Sequence, residues 1–471
     1  MSDVTEDSLM AQGKRSSIQQ PLFVLTTDLA SQISHPYYDA VNKMLDAHQF
    51  DHFAEALCAE FYADKMGRPS LAPGVYFRCL MIGYLEGIDS ERGIAWRCAD
   101  SLSLKTFLGY AIDQSTPDHT TISRTRRLIS LEAHKAMFAF FLKVLANHSL
   151  LCGKTLGVDS TPLEANAAMR SIVRRDSGEG YQEFLTRLAK ESGIETPTLE
   201  DLAKLDKKRK NKASNDDWKN PHDPDAKITK MKDGSTHLAH KAEHVVDLGE
   251  DAHGAILGVN LCDASVGDTN TLVDSIVVAT ENLAAVADDA RVADKIDGEK
   301  IASEVVNDKG YHSKQLMSDL REMNIRSYTS EPKRKDNYNW AGDTEARDAL
   351  HGNRKRIKGD RGKRLLRRRG EFLERSFAHA YETGAMRRVH LRHRDNIAKR
   401  VLIHCAGFNL GLLMRVSYGM RKPRNAGEGR FCSILWAWMM VKRLCESMNR
   451  SERDFGGQEV IARPTLIALA A

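Results

Sequence analysis

At Lys154 this chain stops reading as continuous helix and begins to alternate, and that change constrains its fold more than any other feature. LGVDSTPLEA has the character of a buried strand with a polar tip. HVVDL and AILGVNLCDA are two further strands, and the pause at Asp251-Ala252-His253-Gly254 between them suits a hairpin. A helix is predicted from Thr271 to about Asp288, with Leu272, Ile276, Ala279 and Leu283 on one face. Strand IASEVVND, helix SKQLMSDLREM and strand IRSYTS follow. A basic stretch over 333–369 then leads into helix EFLERSFAHAYE and the apolar helix VLIHCAGFNLGLLM. Strand, hairpin, helix, strand, helix, strand, helix implies a mixed α/β sheet covered by helices.

Upstream the pattern is helical. Residues 1–34 read as a polar, flexible lead-in and 35–151 as a helical domain; the sheet domain spans 152–420, and 421–471 is a C-terminal helical segment and tail. Within Pro73–Leu85, Val75, Cys79, Ile82 and Leu85 recur at spacings of three and four and mark one apolar face. Further on, a turn over Ser115–His119 precedes TTISRTRRLI, which opens on a capping-type Thr and carries Arg124, Arg126 and Arg127. Short helices, a proline turn and an arginine-bearing helix suit a helix-turn-helix-like DNA reader, although most such pairs in helical domains are simple packing. Residues from about 170 to 220 are charged and poor in aromatics, and read as a surface insertion of short helices and loops.

Charge is uneven. The formal net charge is only +5, yet ten Lys or Arg residues fall between Arg354 and Arg369 against one acid, Asp360. Such a run can neutralise nucleic-acid phosphates. The smaller cluster Lys207–Lys210 with Lys212 reads as a solvated loop. The eight cysteines are scattered without a Cys-x-x-Cys pair, which suits buried thiols of a reducing compartment. No uncharged apolar stretch approaches the roughly eighteen residues needed to span a bilayer, so the expected setting is a cytoplasmic, nucleoid-associated protein with no membrane partner. Trp436 and Trp438 read as core.

Three acids stand out by position. Asp159 lies toward the end of the first strand, Asp308 ends another, and Glu374 sits in the helix after the basic run. Acids at strand tips face the crevice in which open α/β sheets bind ligands. A few carboxylates there suit Mg²⁺, a hard cation that prefers oxygen donors, and metal-assisted phosphoryl transfer. Taken singly, Asp159 and Asp308 also fit turn or cap roles, and Glu374 fits an ion pair with Arg367 or Arg368. Asp263, Asp268 and Glu371 compete with them on spacing alone.

The motifs as a set carry a resemblance. Arg68-Pro69-Ser70-Leu71-Ala72-Pro73, Gly87-Ile88-Asp89-Ser90-Glu91-Arg92, Phe107-Leu108-Gly109 and Pro117-Asp118-His119-Thr120-Thr121 come from the helical part. VDSTPLEANA, DPDAKITK (223–230), NDKGYHS and LERSF come from the rest. With these the chain resembles bacterial insertion-sequence transposases that join an N-terminal helical domain to a DDE catalytic domain of ribonuclease-H-like fold, over roughly residues 35–415. The resemblance implies a mixed α+β and α/β fold with a charged insertion, an acidic triad of Asp159, Asp308 and Glu374, and Mg²⁺ as cofactor with Mn²⁺ as a substitute. It implies double-stranded DNA as partner, both terminal inverted repeats and target, and a homo-oligomer that handles two ends together. Arg124, Arg126, Arg127, Lys309, Arg367, Arg368 and Arg369 are then the expected DNA contacts. In the family the third acid's helix carries an upstream Tyr and Arg and a downstream Lys. Here Arg369 can serve as the Arg, but Tyr381 stands where the Lys is expected, so Arg387 and Arg388 become its substitutes on transposon-end phosphate. The alternatives are a DNA-binding relic without activity, a ribonuclease-H-like nuclease that cuts without joining, and a zinc protein built on His237, His240 and His244.

Overall fold

The computed structural model describes residues 34–62, 70–209, 214–231, 233–333 and 343–423. Lys210 and Lys212 of the smaller basic cluster, most of the polar lead-in, and Cys432, Cys445, Trp436 and Trp438 lie outside those residues.

Seven helices come first: α1 (Pro36–Ala47), α2 (Phe50–Cys58), α3 (Pro73–Glu86), α4 (Glu91–Asp100), α5 (Leu102–Phe107), α6 (His119–Leu128) and α7 (Leu131–Asn147). Short polar residues set where they start. Ser90, Ser101 and Ser130 each accept from the backbone N–H three residues on, filling a donor the helix leaves unpaired. At α6 the cap is Asp118 rather than a threonine. Its carboxylate takes the N–H groups of Thr120 and Thr121 at 2.6 and 2.9 Å, and the Thr120 hydroxyl leads the contacts that hold its pKa down at about 2. The single apolar face expected for α3 is too modest: the helix is buried on nearly every side, because α2, α4 and a late helix of the chain surround it.

The sheet is built from β1 (Thr155–Glu164), β4 (Lys227–Lys230), β5 (Thr236–Asp247), β6 (Ile256–Asp263), β7 (Glu304–Asn307) and β8 (Arg326–Thr329); β2 (Val173–Arg174) and β3 (Trp218–Lys219) form a separate pair. β5 runs antiparallel to β1 on one edge and to β6 and β4 on the other, while β7 and β8 continue parallel from β1. The path from β6 is therefore β6-β5-β1-β7-β8. The expected hairpin is present as β5–β6, and the expected crossover helices as α10 (Asp268–Ala287) between β6 and β7 and α11 (Lys314–Glu322) between β7 and β8.

Two expectations need correction. The basic stretch is helical where described, as α12 (Thr344–Lys358) and α13 (Asp360–Phe377). Lys and Arg are good helix formers, and Leu350 with Ile357, then Leu365 with Phe372, recur seven apart; Leu350 is fully buried, and the other three pack on the main core. The insertion also does more than decorate. Its helices α8 (Tyr181–Glu191) and α9 (Leu199–Lys208) close a small core of their own, in which Phe184, Leu185 and Leu202 pack with Trp218, Ile228 and Leu238.

The last described helix, α14 (Arg394–Tyr418), ties the molecule together. It is long and apolar enough to cross a membrane, yet it is largely buried against α3, α7 and β6. One apolar core consequently runs from Tyr37 to Met414, across the boundary expected near residue 151.

Candidate active site

In the β1–β7 ladder Thr155 lies beside Glu304 and Gly157 beside Val306. Extended at the same offset, that register would set Asp159 beside Asp308. β7 ends at Asn307, just before Asp308, while β1 runs on past Asp159 to Glu164 against β5. Side chains alternate across the sheet. Thr155, Asp159 and Thr161 point toward α13 and the segment after it: Thr155 bonds Glu304, itself paired with Arg361; Asp159 pairs with Arg369 at 2.7 Å; Thr161 accepts from Arg387. Ser160 points the other way and donates to Asp268 at the start of α10, 3.0 Å away.

Asp308 caps the short 3₁₀ turn Lys309–Tyr311, accepting from the Gly310 N–H at 2.8 Å. Gly310 has no side chain for a spatial reason. A Cβ there would lie 3.0 Å from Asp308 Oδ1 and 3.2 Å from Asp268 Oδ2, so two carboxylates close on one point. Behind them Glu243 is fully buried on β5. It accepts from Thr271 and Ser275 at 2.5 Å each and from Tyr311 at 3.0 Å, with Lys241 at 3.6 Å. Burial first, then the Glu243 charge, pushes the Tyr311 phenol far above its ordinary range, so it serves as a donor.

Glu374 lies five residues past Arg369 on α13 and is exposed. The ligand atoms of Asp159, Asp308 and Glu374 are not gathered within 4.8 Å of one another. Among the described residues that arrangement occurs at Asp223, Asp225 and His393. There the carboxylates serve the backbone. Asp223 accepts from the His393 N–H and Asp225 from the Arg394 N–H, which caps the first turn of α14.

The cations divide into two groups. Arg126 is buried and paired with Glu91 at 2.6 Å, so it locks α6 onto α4 and is not presented to DNA. Arg368 donates to the carbonyls of Glu250 and Ala252, holding the β5–β6 turn. Arg369 is drawn in to Asp159, and Arg387 is engaged by Thr161 and Glu382. Arg124, Arg127, Lys309, Arg367 and Arg388 are exposed, the last 3.7 Å from Glu164.

The three histidines of the zinc alternative take separate partners. His237 lies 3.8 Å from Glu164 and His240 lies 3.2 Å from Asp223. His244 bonds Ser376 and Tyr381 at 3.1 and 2.6 Å. His244 sits directly across from Asp159 in the β1–β5 ladder, and burial holds its pKa down at about 3. Burial also depresses His134 to about 3 and His404 well below its ordinary value. An imidazole that stays neutral when folded but protonates when unfolded leaves stability intact above pH 6.5 and erodes it as pH falls toward the folded pKa. Each such histidine contributes a slope of up to about 1.4 kcal/mol per pH unit in that window. Urea unfolding is therefore expected to show stability falling steeply between pH 6.5 and 5, and His244→Asn should flatten the slope by roughly one histidine's share. An unchanged slope in that variant would mean that His244 is charged in the folded protein.

Lys241 and Glu243, buried on β5, are charged residues that the sequence reading does not single out. The available signal is their place in the strand LAHKAEHVVD, where two charges interrupt residues that must be buried between paired strands.

A family model described as Transposase domain (DUF772) matches residues 28–128, the stretch that holds α1 to α6. The match supports a transposase-family protein. It makes DNA the expected partner and agrees with the family that the motifs of the helical part suggest. No curated protein and no solved structure matches the chain.

Proposed function

We propose that this chain is a DDE-type DNA transposase of an insertion sequence, with a ribonuclease-H-like catalytic domain over roughly 152–420. The observation that carries the reading is the parallel β1–β7 register, whose offset is the one that separates Asp159 within β1 from Asp308 just past β7, with α13, the helix of Glu374, laid along the same sheet. The strand path β6-β5-β1-β7-β8 supports the ribonuclease-H-like assignment, and the match over 28–128 supports the transposase assignment.

The donor set fits a hard divalent cation, since the crevice offers carboxylate oxygens and no thiolate among the residues above. Asp159, Asp308 and Glu374 would hold Mg²⁺, or Mn²⁺ in its place. The bound ion supplies Lewis acidity at the scissile phosphate and activates water or a 3′-hydroxyl. Asp159 must exchange its pairing with Arg369 to take part, and Arg369 then becomes available to phosphate. Exposed Lys309, Arg367 and Arg388 follow the DNA backbone near the site, while Arg124 and Arg127 on α6 belong to recognition of terminal inverted repeats by the helical part. No serine or tyrosine nucleophile is required, because water and then the 3′-hydroxyl attack the phosphate directly. Two ends must be held together for joining, which calls for a homo-oligomer on DNA.

The test is Mg²⁺-dependent cleavage and joining of DNA carrying the element's own terminal repeats. The wild-type protein is expected to cut and join, and Asp159→Ala to do neither. A second reading, a DNA-binding relic, is favoured by one observation: Arg369 occupies Asp159 while Glu374 stands apart and exposed. Specific binding of the repeats without cutting by the wild type would establish the relic.

A further inference from the structure

The charges around the strand tips do not balance among the described residues. Asp159 is matched by Arg369, and Lys241 is shared between Glu243 and Asp268, lying 3.1 Å from Asp268 Oδ1 and 3.6 Å from Glu243. Lys241 is further fixed by the Val266 carbonyl at 2.8 Å and the Thr271 hydroxyl at 3.1 Å, so its position is not adjustable. One lysine faces two carboxylates, and Asp308 adds a third. The free oxygen of Asp268, Oδ2, points at the space beside Gly310 that Asp308 Oδ1 also borders. Like charges that border one small space repel unless a proton or a cation is shared between them.

Helix capping does not account for the arrangement. The N-cap of α10 is Gly267, and Asp268 follows it as the first helical residue. Its Oδ1 is turned instead to Ser160, next to Asp159 in sequence, and to Lys241. The two bonds on Oδ1 fix the carboxylate and leave Oδ2 bordering the same space beside Gly310 as Asp308 Oδ1. This is how a metal-site carboxylate is usually supported, with one oxygen anchored by neighbours and the other free.

We propose that Asp268 is a carboxylate of the divalent-metal site, paired with Asp308 across Gly310, and that Ser160 and Lys241 are its positioning residues. The proposal rests on the transposase reading above and adds to its acidic set a residue on α10. The arrangement gives Asp308 a neighbour that is already in place before α13 brings Glu374 up.

Mn²⁺ binding to the full chain without DNA, measured by loss of the free-ion electron paramagnetic resonance signal, tests it. Asp268→Asn keeps an oxygen acceptor for Ser160 and Lys241 but removes the charge, and should weaken Mn²⁺ binding by about ten- to a hundredfold. Ser160→Ala keeps the charge and loses only the tether, so a smaller weakening is expected; it serves if Asp268→Asn fails to fold. Wild-type affinity in both variants, alongside loss of binding in Asp308→Asn, would overturn the role of Asp268 and leave the transposase reading standing. Failure of the wild type to bind Mn²⁺ would remove the metal site and this inference together.

Discussion

Replacing Asp308 by asparagine is expected to lower Mg²⁺-dependent end cleavage by about a thousandfold or more, with little change in binding to the terminal repeats. Loss of a metal-binding carboxylate forfeits several kcal/mol of transition-state stabilisation, and each 1.4 kcal/mol is about tenfold in rate. The fold should tolerate the change. Asparagine keeps an oxygen for the Gly310 N–H, the one bond by which Asp308 caps its turn. DNA binding should persist because the exposed cations on α6 and α13 are untouched. Glu374→Gln in the same assay decides the third acid. An equal loss would place Glu374 in the machinery and require α13 to bring it toward the strand tips when DNA and metal bind. Full activity in Glu374→Gln beside an inactive Asp308→Asn would move the third acid elsewhere, with Asp268 already adjacent.

Asp308 is legible as a strand-end acid because it directly follows the short apolar run of β7, a position that local pattern can locate. By contrast, β1 continues past Asp159 to Glu164, since pairing with β5 extends it through a polar stretch that reads as a tip. The hairpin and the crossover helices are legible from local pattern, as Asp308 is. What cannot be read is what depends on distant pairing. Glu243 and Lys241 make sense only once β5 is known to lie between β1 and β6 with α10 behind it. Arg126 and Arg124 look alike two residues apart in a basic helix; burial against Glu91 separates their roles, and periodicity in so short a helix is a weak guide to which face is covered. The basic run reads as a stretch preceding a helix because its charge masks the sparse buried or half-buried apolar residues Leu350, Ile357 and Leu365 of α12 and α13. The insertion reads as mere surface because its core draws Ile228 and Leu238 from the main sheet, outside the segment itself.

Arg400→Ala is expected to destabilise the whole protein by about 3–5 kcal/mol, because it removes a large buried side chain and leaves its partners unsatisfied. Arg400 is almost completely buried in α14. Its guanidinium donates to the carbonyls of Leu80 and Ile88, at 2.9 and 3.0 Å, across a sequence separation of more than 300 residues. The Ile88 carbonyl lies just beyond α3, where the helix C-terminus favours a cation, while the Leu80 carbonyl lies within the helix and takes the guanidinium as an additional donor. Burial pulls the Arg400 pKa down to about 10, still well above neutrality, so the group remains charged. Gly83 makes the approach feasible, since any side chain there would run into the guanidinium. Arg400→Met should cost less, because it fills part of the volume and relieves the desolvated charge. The melting curve carries the larger consequence. Because α14 packs on α3, α7 and β6, the helical part and the sheet should unfold in one transition, and Arg400→Ala should move that transition down as a unit. Two transitions in the wild type, with only one shifted by the substitution, would show that the N-terminal helices are a separate body and that α14 does not join them to the sheet.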